Sequence, residues 1–193
     1  MNPRALDTFG RASQNVTDVY ILWILSTLKE FDGIRLKTEL SNLQQVAMHT
    51  NDPYILGLCA GALINFNKTE DAIEIAQRIV LAQNKSSGAV EGAASSITSS
   101  SGINLKVETT SLAILAWLDS SPIQFASSIE LAFGFLLRQV KDGGRYGSTQ
   151  ATVLALKALV RYSEVFGGLR GSGTFLLSVN GIKVDSFEFD ERD

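Results

Sequence analysis

Few of the chain's 193 residues are of a type that could do covalent or acid–base chemistry, and their surroundings decide which chemistry is open to them. There is one cysteine, Cys59, and one histidine, His49. A cysteine nucleophile needs a base or a positive potential to hold its thiolate. Cys59 lies in "LGLCAGAL", which offers neither, so it reads as a buried, inert thiol. His49 ends a stretch with a single apolar stripe, where a helix C-terminus favours an imidazolium. One histidine cannot build a zinc site. Glu108, in "LKVETTSLAILAWL", stands where an apolar helix begins and a carboxylate suits the positive end of the dipole. No second carboxylate is spaced to share general acid–base work with it.

The stretch "KDGGRYGSTQATVLALKALVRY" (141–162) gathers Gly143, Gly144 and Gly147 against Ser148, Thr149 and Gln150. A phosphate-binding loop needs G-x-x-x-x-G-K-[ST] after a strand, with the lysine reaching the phosphates. Here the glycines follow a helical pattern and no lysine precedes Ser148. The expected reading is a glycine cap on one helix, a tight turn, and an N-cap on the next. No cofactor and no metal are expected.

These residues hang on seven predicted helices of two kinds. Segments near 17–29, 53–66, 107–118 and 148–163 are apolar on nearly every side. Between them, near 35–48, 69–83 and 123–140, lie segments with one apolar stripe; Leu36, Leu40, Leu43 and Ala47 mark the first. Pro122 suits a first helical turn, and Asp52, Thr69 and Ser148 or Thr149 are credible N-caps. A helix apolar all round must be surrounded, whereas a striped one has a wet face. Strict alternation therefore predicts an inner layer shielded by an outer one, an all-α fold of the α/α-toroid type built from helical hairpins. Gln83 and Gln139 each stand five residues before a glycine, Gly88 and Gly144, a weak internal repeat that agrees. Seven helices read as an incomplete ring. Its terminal helices would expose apolar surface and could bring copies of the chain together as a homo-oligomer.

After residue 166 the character changes. A glycine-rich linker at 167–173 leads into "TFLLSVNGIKVDSFEFDERD" (174–193), where Asn180-Gly181 is a strong hairpin signal. The expected division is a helical domain over 1–166, the linker, and a short C-terminal β-hairpin that opens a β domain. The net charge of −3, with 45% hydrophobic and 19% charged residues, describes a globular chain without the basic footprint of a nucleic-acid binder. The longest apolar run, "YILGLCAGALINF", has the length of a buried helix and is too short for membrane insertion. The opening "MNPRALDTFGR" lacks the apolar core of a signal peptide. A single cysteine fits a cytosolic chain; an exported one without disulfides is the alternative. Asn15, Asn67 and Asn84 begin glycosylation sequons of a kind that arises often by chance. The serine-rich stretch at 92–102 reads as a mobile polar loop.

Two stretches are more specific. "LKVETTSLAILAWL", followed about thirty residues later by "LLRQVKDGGRYGSTQATVLALKALVRY", closely resembles the thioester-containing domain of the α2-macroglobulin and complement family. Upstream, "NVTDVYILWIL" and "NDPYILGLCAGALINFNKTEDA" resemble its earlier hairpins in the right order. The resemblance implies an α/α toroid and, as in the complement branch, a following β domain. It implies a parent protein that traps proteases or tags surface nucleophiles through a buried Cys-x-Glu-Gln thioester, and a secreted, periplasmic or cell-surface location. Cys59 is followed by Ala60, Gly61 and Ala62, so that motif is absent here and is expected upstream of Met1. No histidine stands in "NPRALDTF", where the family's transfer-assisting histidine would fall, so direct amide formation is the expected chemistry. Glu108, Gly144, Gly147, Ser148, Thr149 and Gln150 match family motif positions, and their expected roles are caps and polar turns rather than catalysis. The chain itself is expected to be no enzyme. Two alternatives stand beside this reading: a terpene-cyclase or prenyltransferase-like enzyme on the same barrel, and a helical-repeat interaction module.

Overall fold

The computed structural model describes residues 12–28, 36–141, 144–167, 173–179 and 182–189. The chain divides into two compact units, Met1–Arg161 and Tyr162–Asp193. Seven helices occur among the described residues: α1 (Gln14–Ser26), α2 (Lys37–His49), α3 (Pro53–Asn65), α4 (Thr69–Leu81), α5 (Gly102–Ser120), α6 (Ala126–Gln139) and α7 (Thr149–Phe166).

The two expected kinds of helix sort into two layers. α3 and α5 lie side by side at the centre, and α1 packs on the other flank of α3. α2 bridges α1 and α3 from outside, and α4 bridges α3 and α5 in the same way. α3 is buried along nearly its whole length, from Tyr54 to Leu63. Its apolar sequence has no wet face to offer, so it must be central. α4 buries only Ala72, Ile75, Ala76 and Ile79, one side of the cylinder, and turns Glu70, Asp71, Glu74 and Gln77 outward. Close approach within the inner layer depends on Gly57, because a Cβ there would come within 2.9 Å of the Leu112 Cβ on α5.

Trp117 is the largest fully buried side chain. Its indole N–H donates to the Ala76 carbonyl at 3.0 Å, and its ring stacks on Phe125 at 6.4 Å between centroids. A buried tryptophan keeps its N–H paired in this way because an orphaned donor costs as much as a lost hydrogen bond. The outer layer has its own ties. The Arg78 guanidinium of α4 donates to the Ala47 carbonyl at 2.6 Å and to the Thr50 carbonyl, closing the C-terminal end of α2. Gln44 donates to Asp71 at 2.8 Å.

α7 meets α1 and α5 through long side chains. Lys157 Nζ lies 5.1 Å above the Trp23 ring, and Arg161 pairs with Asp119 at 2.5 Å. Both α1 and α7 leave apolar residues in solvent, Ile21 and Ile24 on one and Val153, Leu156 and Val160 on the other. No described helix is long and apolar enough to cross a membrane.

Four local expectations need correcting. α5 begins at Gly102, five residues before the predicted start. Pro122 lies in the turn before α6, whose N-cap is Phe125. Thr69 is the first helical residue of α4, not its cap; Lys68 holds that place without a side-chain bond. The stretch before α5 is no loose polar connection, since Ser96 and Ile97 are buried in it.

The second unit carries two antiparallel strands, β1 (Gly173–Val179) and β2 (Ile182–Phe189). Pairing runs from Gly173 opposite Phe189 to Val179 opposite Ile182, with a register shift between Leu177 and Ser178. The Asn180-Gly181 turn lies outside the described residues.

Candidate functional site

The chemistry-bearing residues gather where the inner helices begin. Asp52 caps α3, with Pro53 at the first helical position, where its missing N–H costs nothing. The Asp52 Oδ1 accepts from the amides of Tyr54 (2.9 Å) and Ile55 (3.4 Å). Its Oδ2 accepts from the Ala94 amide at 2.9 Å, in the stretch that leads into α5. Ser148 caps α7, accepting from the Ala151 amide at 3.1 Å. Thr152 donates back to the Ser148 carbonyl and accepts from the Tyr146 amide, each at 3.0 Å, and so fixes the turn.

Between these caps lies Glu108. The sequence placed it at a helix start; because α5 begins at Gly102, it sits in the second turn and is fully buried. Its Oε1 accepts from Ser100 Oγ at 2.6 Å and from Ser148 Oγ at 3.3 Å. Its Oε2 has no hydrogen-bond partner among the described residues. Burial pushes the carboxyl above its ordinary range, while the hydroxyls of Ser100, Ser96 and Ser148 pull the other way. Among the described residues no cation offsets the burial, so this setting favours the neutral form more than water does.

The remaining predicted positions are placed as follows. Gln150 Nε2 donates to the Tyr20 hydroxyl at 3.4 Å, linking the first turn of α7 to α1. Thr149 is exposed beside it. Gly144 (φ 74°) and Gly147 (φ 98°) both take the left-handed conformation that suits glycine. Gly144 closes the turn in which Lys141 and Arg145 pair, and its amide donates to the Lys141 carbonyl at 3.0 Å. At Gly147 a Cβ would also collide with the Asn104 side chain. The structure therefore brings Glu108, Ser148 and Gln150 to one end of the inner layer, while Gly144 and Gly147 shape the turn that delivers them.

Cys59 is fully buried in α3, and burial pushes its thiol up to about 12. It has no base to activate it. His49 is exposed at the end of α2, its Nδ1 2.8 Å from the Gln45 carbonyl. No group of three or more His, Cys, Asp or Glu among the described residues is placed to hold a metal ion. Asn15, Asn67 and Asn84 are all exposed.

Sequence reasoning missed the partners of Glu108. Ser96, Thr98 and Ser100 form a run of hydroxyls, with Ser96 Oγ 3.2 Å from Thr98 Oγ1 and that atom 3.1 Å from Ser100 Oγ. Tyr54 was missed as well; its hydroxyl accepts from the Ile97 amide at 3.3 Å, and burial raises its pKa. The signal was the density of hydroxyls in "SSITSSS" just before a carboxylate on an apolar helix.

The arrangement buries one acid and joins three helix starts through hydroxyls. Among the described residues it pairs no nucleophile with a base. Glu108 and Ser148, which stand in the two motif-bearing stretches, touch here. No curated protein matches the chain. The family model described as the A-macroglobulin TED domain matches residues 24–162, which take in both stretches and all seven helices in whole or part. With that match over most of its length, and with the layered α/α toroid that this thioester-containing domain has, the chain belongs to the A-macroglobulin TED domain family of the α2-macroglobulin and complement proteins.

Proposed function

We propose that the chain is a non-enzymatic scaffold, the part of a thioester domain that seats and shields a reactive bond supplied elsewhere in its parent protein. The parent, on this reading, captures proteases or surface nucleophiles covalently and works outside the cytoplasm. The observation that carries the proposal is the contact of Ser148 with Glu108, which fastens the two family-motif stretches together at the inner-helix N-termini. Such a fastening gives a rigid floor of caps and hydroxyls without a nucleophile of its own. Cys59 cannot supply one, since it is buried in the middle of α3 and lacks the glutamine with which a thioester would form.

The chemistry assigned to the parent is acyl transfer. A nucleophile on the target attacks the thioester carbonyl, the carbon–sulfur bond breaks, and the cysteine leaves as a thiol. Methylamine serves as a small surrogate target. Treatment of the full-length parent should release one thiol per reactive bond and leave a methylamide on the former glutamine. The 193-residue chain alone should incorporate none. A parent that takes up no methylamine would overturn covalent capture.

A further inference from the structure

The loop from Gly92 to Ser101 is fastened to the inner helices by three side chains. Its Ala94 amide is bonded to Asp52, its Ile97 amide to the Tyr54 hydroxyl, and its Ser100 hydroxyl to Glu108. Ser96 Oγ accepts from the Ser100 amide at 3.1 Å, so the hydroxyl run and the backbone hold each other. Of the three anchors, Asp52 is partly exposed, and Tyr54 makes its bond as a neutral phenol. Glu108 alone is a fully buried acid with one oxygen unpartnered.

We propose that Glu108 and the hydroxyls of Ser96, Thr98 and Ser100 form a proton-operated latch, which holds the 92–101 loop over the inner-helix N-termini while the carboxyl is protonated and frees it when the proton leaves. The protonated acid uses Oε1 as acceptor for Ser100 and Ser148 and carries its hydrogen on Oε2. Once ionised, the carboxylate accepts more strongly at Oε1, but Oε2 becomes a buried negative oxygen with no hydrogen-bond partner among the described residues, a costly state unless water reaches it. α5 cannot move to admit water because its other faces pack on α3, α4 and α6. The loop is the part that can, since three side-chain bonds and the burial of Ser96 and Ile97 hold it rather than a helix's own ladder.

The ionisable groups around Glu108 add no rescue. Tyr54 of α3 faces it, with Asp52 at that helix's cap and Tyr20 of α1 nearby, and none of the three is a cation. Among the described residues no cation on α3, α4, α6 or α7 shifts its carboxyl; only the hydroxyls of Ser100, Ser96 and Ser148 do. Because the folded carboxyl titrates above its ordinary 4.5, its contribution to closure is complete below about that pH. It is lost as the pH rises through the raised folded value.

The test is amide exchange of the 92–101 segment in the 193-residue chain, followed from about pH 5 to about pH 9 and normalised for intrinsic base catalysis. Protection in the wild type should fall at least about tenfold across that range, while α5 stays protected. Glu108→Gln keeps an acceptor for Ser100 and cannot ionise, so its loop should hold a flat, protected profile. Ser100→Ala removes the latch without touching α5 and should expose the loop already at the acid end. An identical pH profile in wild type and Glu108→Gln would overturn the proposal. So would wild-type protection at low pH in Ser100→Ala.

Discussion

Two of the crossings by which the chain passes from the outer layer to the inner one can be set side by side. One follows α4 and runs through residues 82–101; the other follows α6 and needs only 140–148. Both open with a short antiparallel bridge, Gln83 with Val90 in the first and Lys141 with Arg145 in the second. Both end on Glu108, through Ser100 and Ser148. Yet the long crossover buries its middle, with Ala89, Val90, Ser96 and Ile97 all inside, whereas among the described residues of the short one only Tyr146 is buried. A long loop rich in serine behaves here as core because each buried polar group has been given an internal partner. Val90, for example, donates to the Thr110 hydroxyl at 2.9 Å.

The largest test of this contrast lies in the two glutamines. Gln83 is buried and donates to the carbonyls of Ser128 (2.8 Å) and Gly88 (3.3 Å). Replacing it by alanine orphans both acceptors and should cost about 1–3 kcal/mol in chemical denaturation. The same change at Gln139, which the repeat makes its counterpart, should stay within about 0.5 kcal/mol. Equal losses would mean that the two crossovers are held alike.

A smaller effect separates the glycines of the short crossover. Gly144→Ala meets open space and should cost only the left-handed strain, about 1 kcal/mol. Gly147→Ala adds the collision with Asn104 and should lower the thermal midpoint further. The smallest concerns two buried tyrosines. Tyr54→Phe strips the Ile97 amide of its acceptor and should cost about 1 kcal/mol. The Tyr146 hydroxyl has no partner to lose, so Tyr146→Phe should be neutral or slightly stabilising.

What could be read in advance follows from where the physical signal lies. α3 and α4 were legible because thirteen residues each either lack a polar face or carry a single clean one. The start of α5 was not. Its first turn, with Asn104 and Lys106, carries no continuous apolar pattern, so the helix seemed to begin near Val107. That shift of five residues turned Glu108 from a core acid into a supposed cap, and with it hid the reason for the serines before it. Ser148 was legible as a cap because a serine ahead of an apolar run has one common use. Its bond to a carboxylate forty residues away in sequence could not be, since periodicity carries no information on which helix starts adjoin.

The placement of Cys59 has a practical consequence. As the chain's sole thiol, with no surface in contact with solvent, it is silent to alkylating reagents for as long as the helical layers stay shut. Its labelling rate is therefore a built-in clock for whole-body opening, blind to fraying at either end. A sulfhydryl that reacts at once in a preparation of this chain reports molecules whose helical layers have already opened.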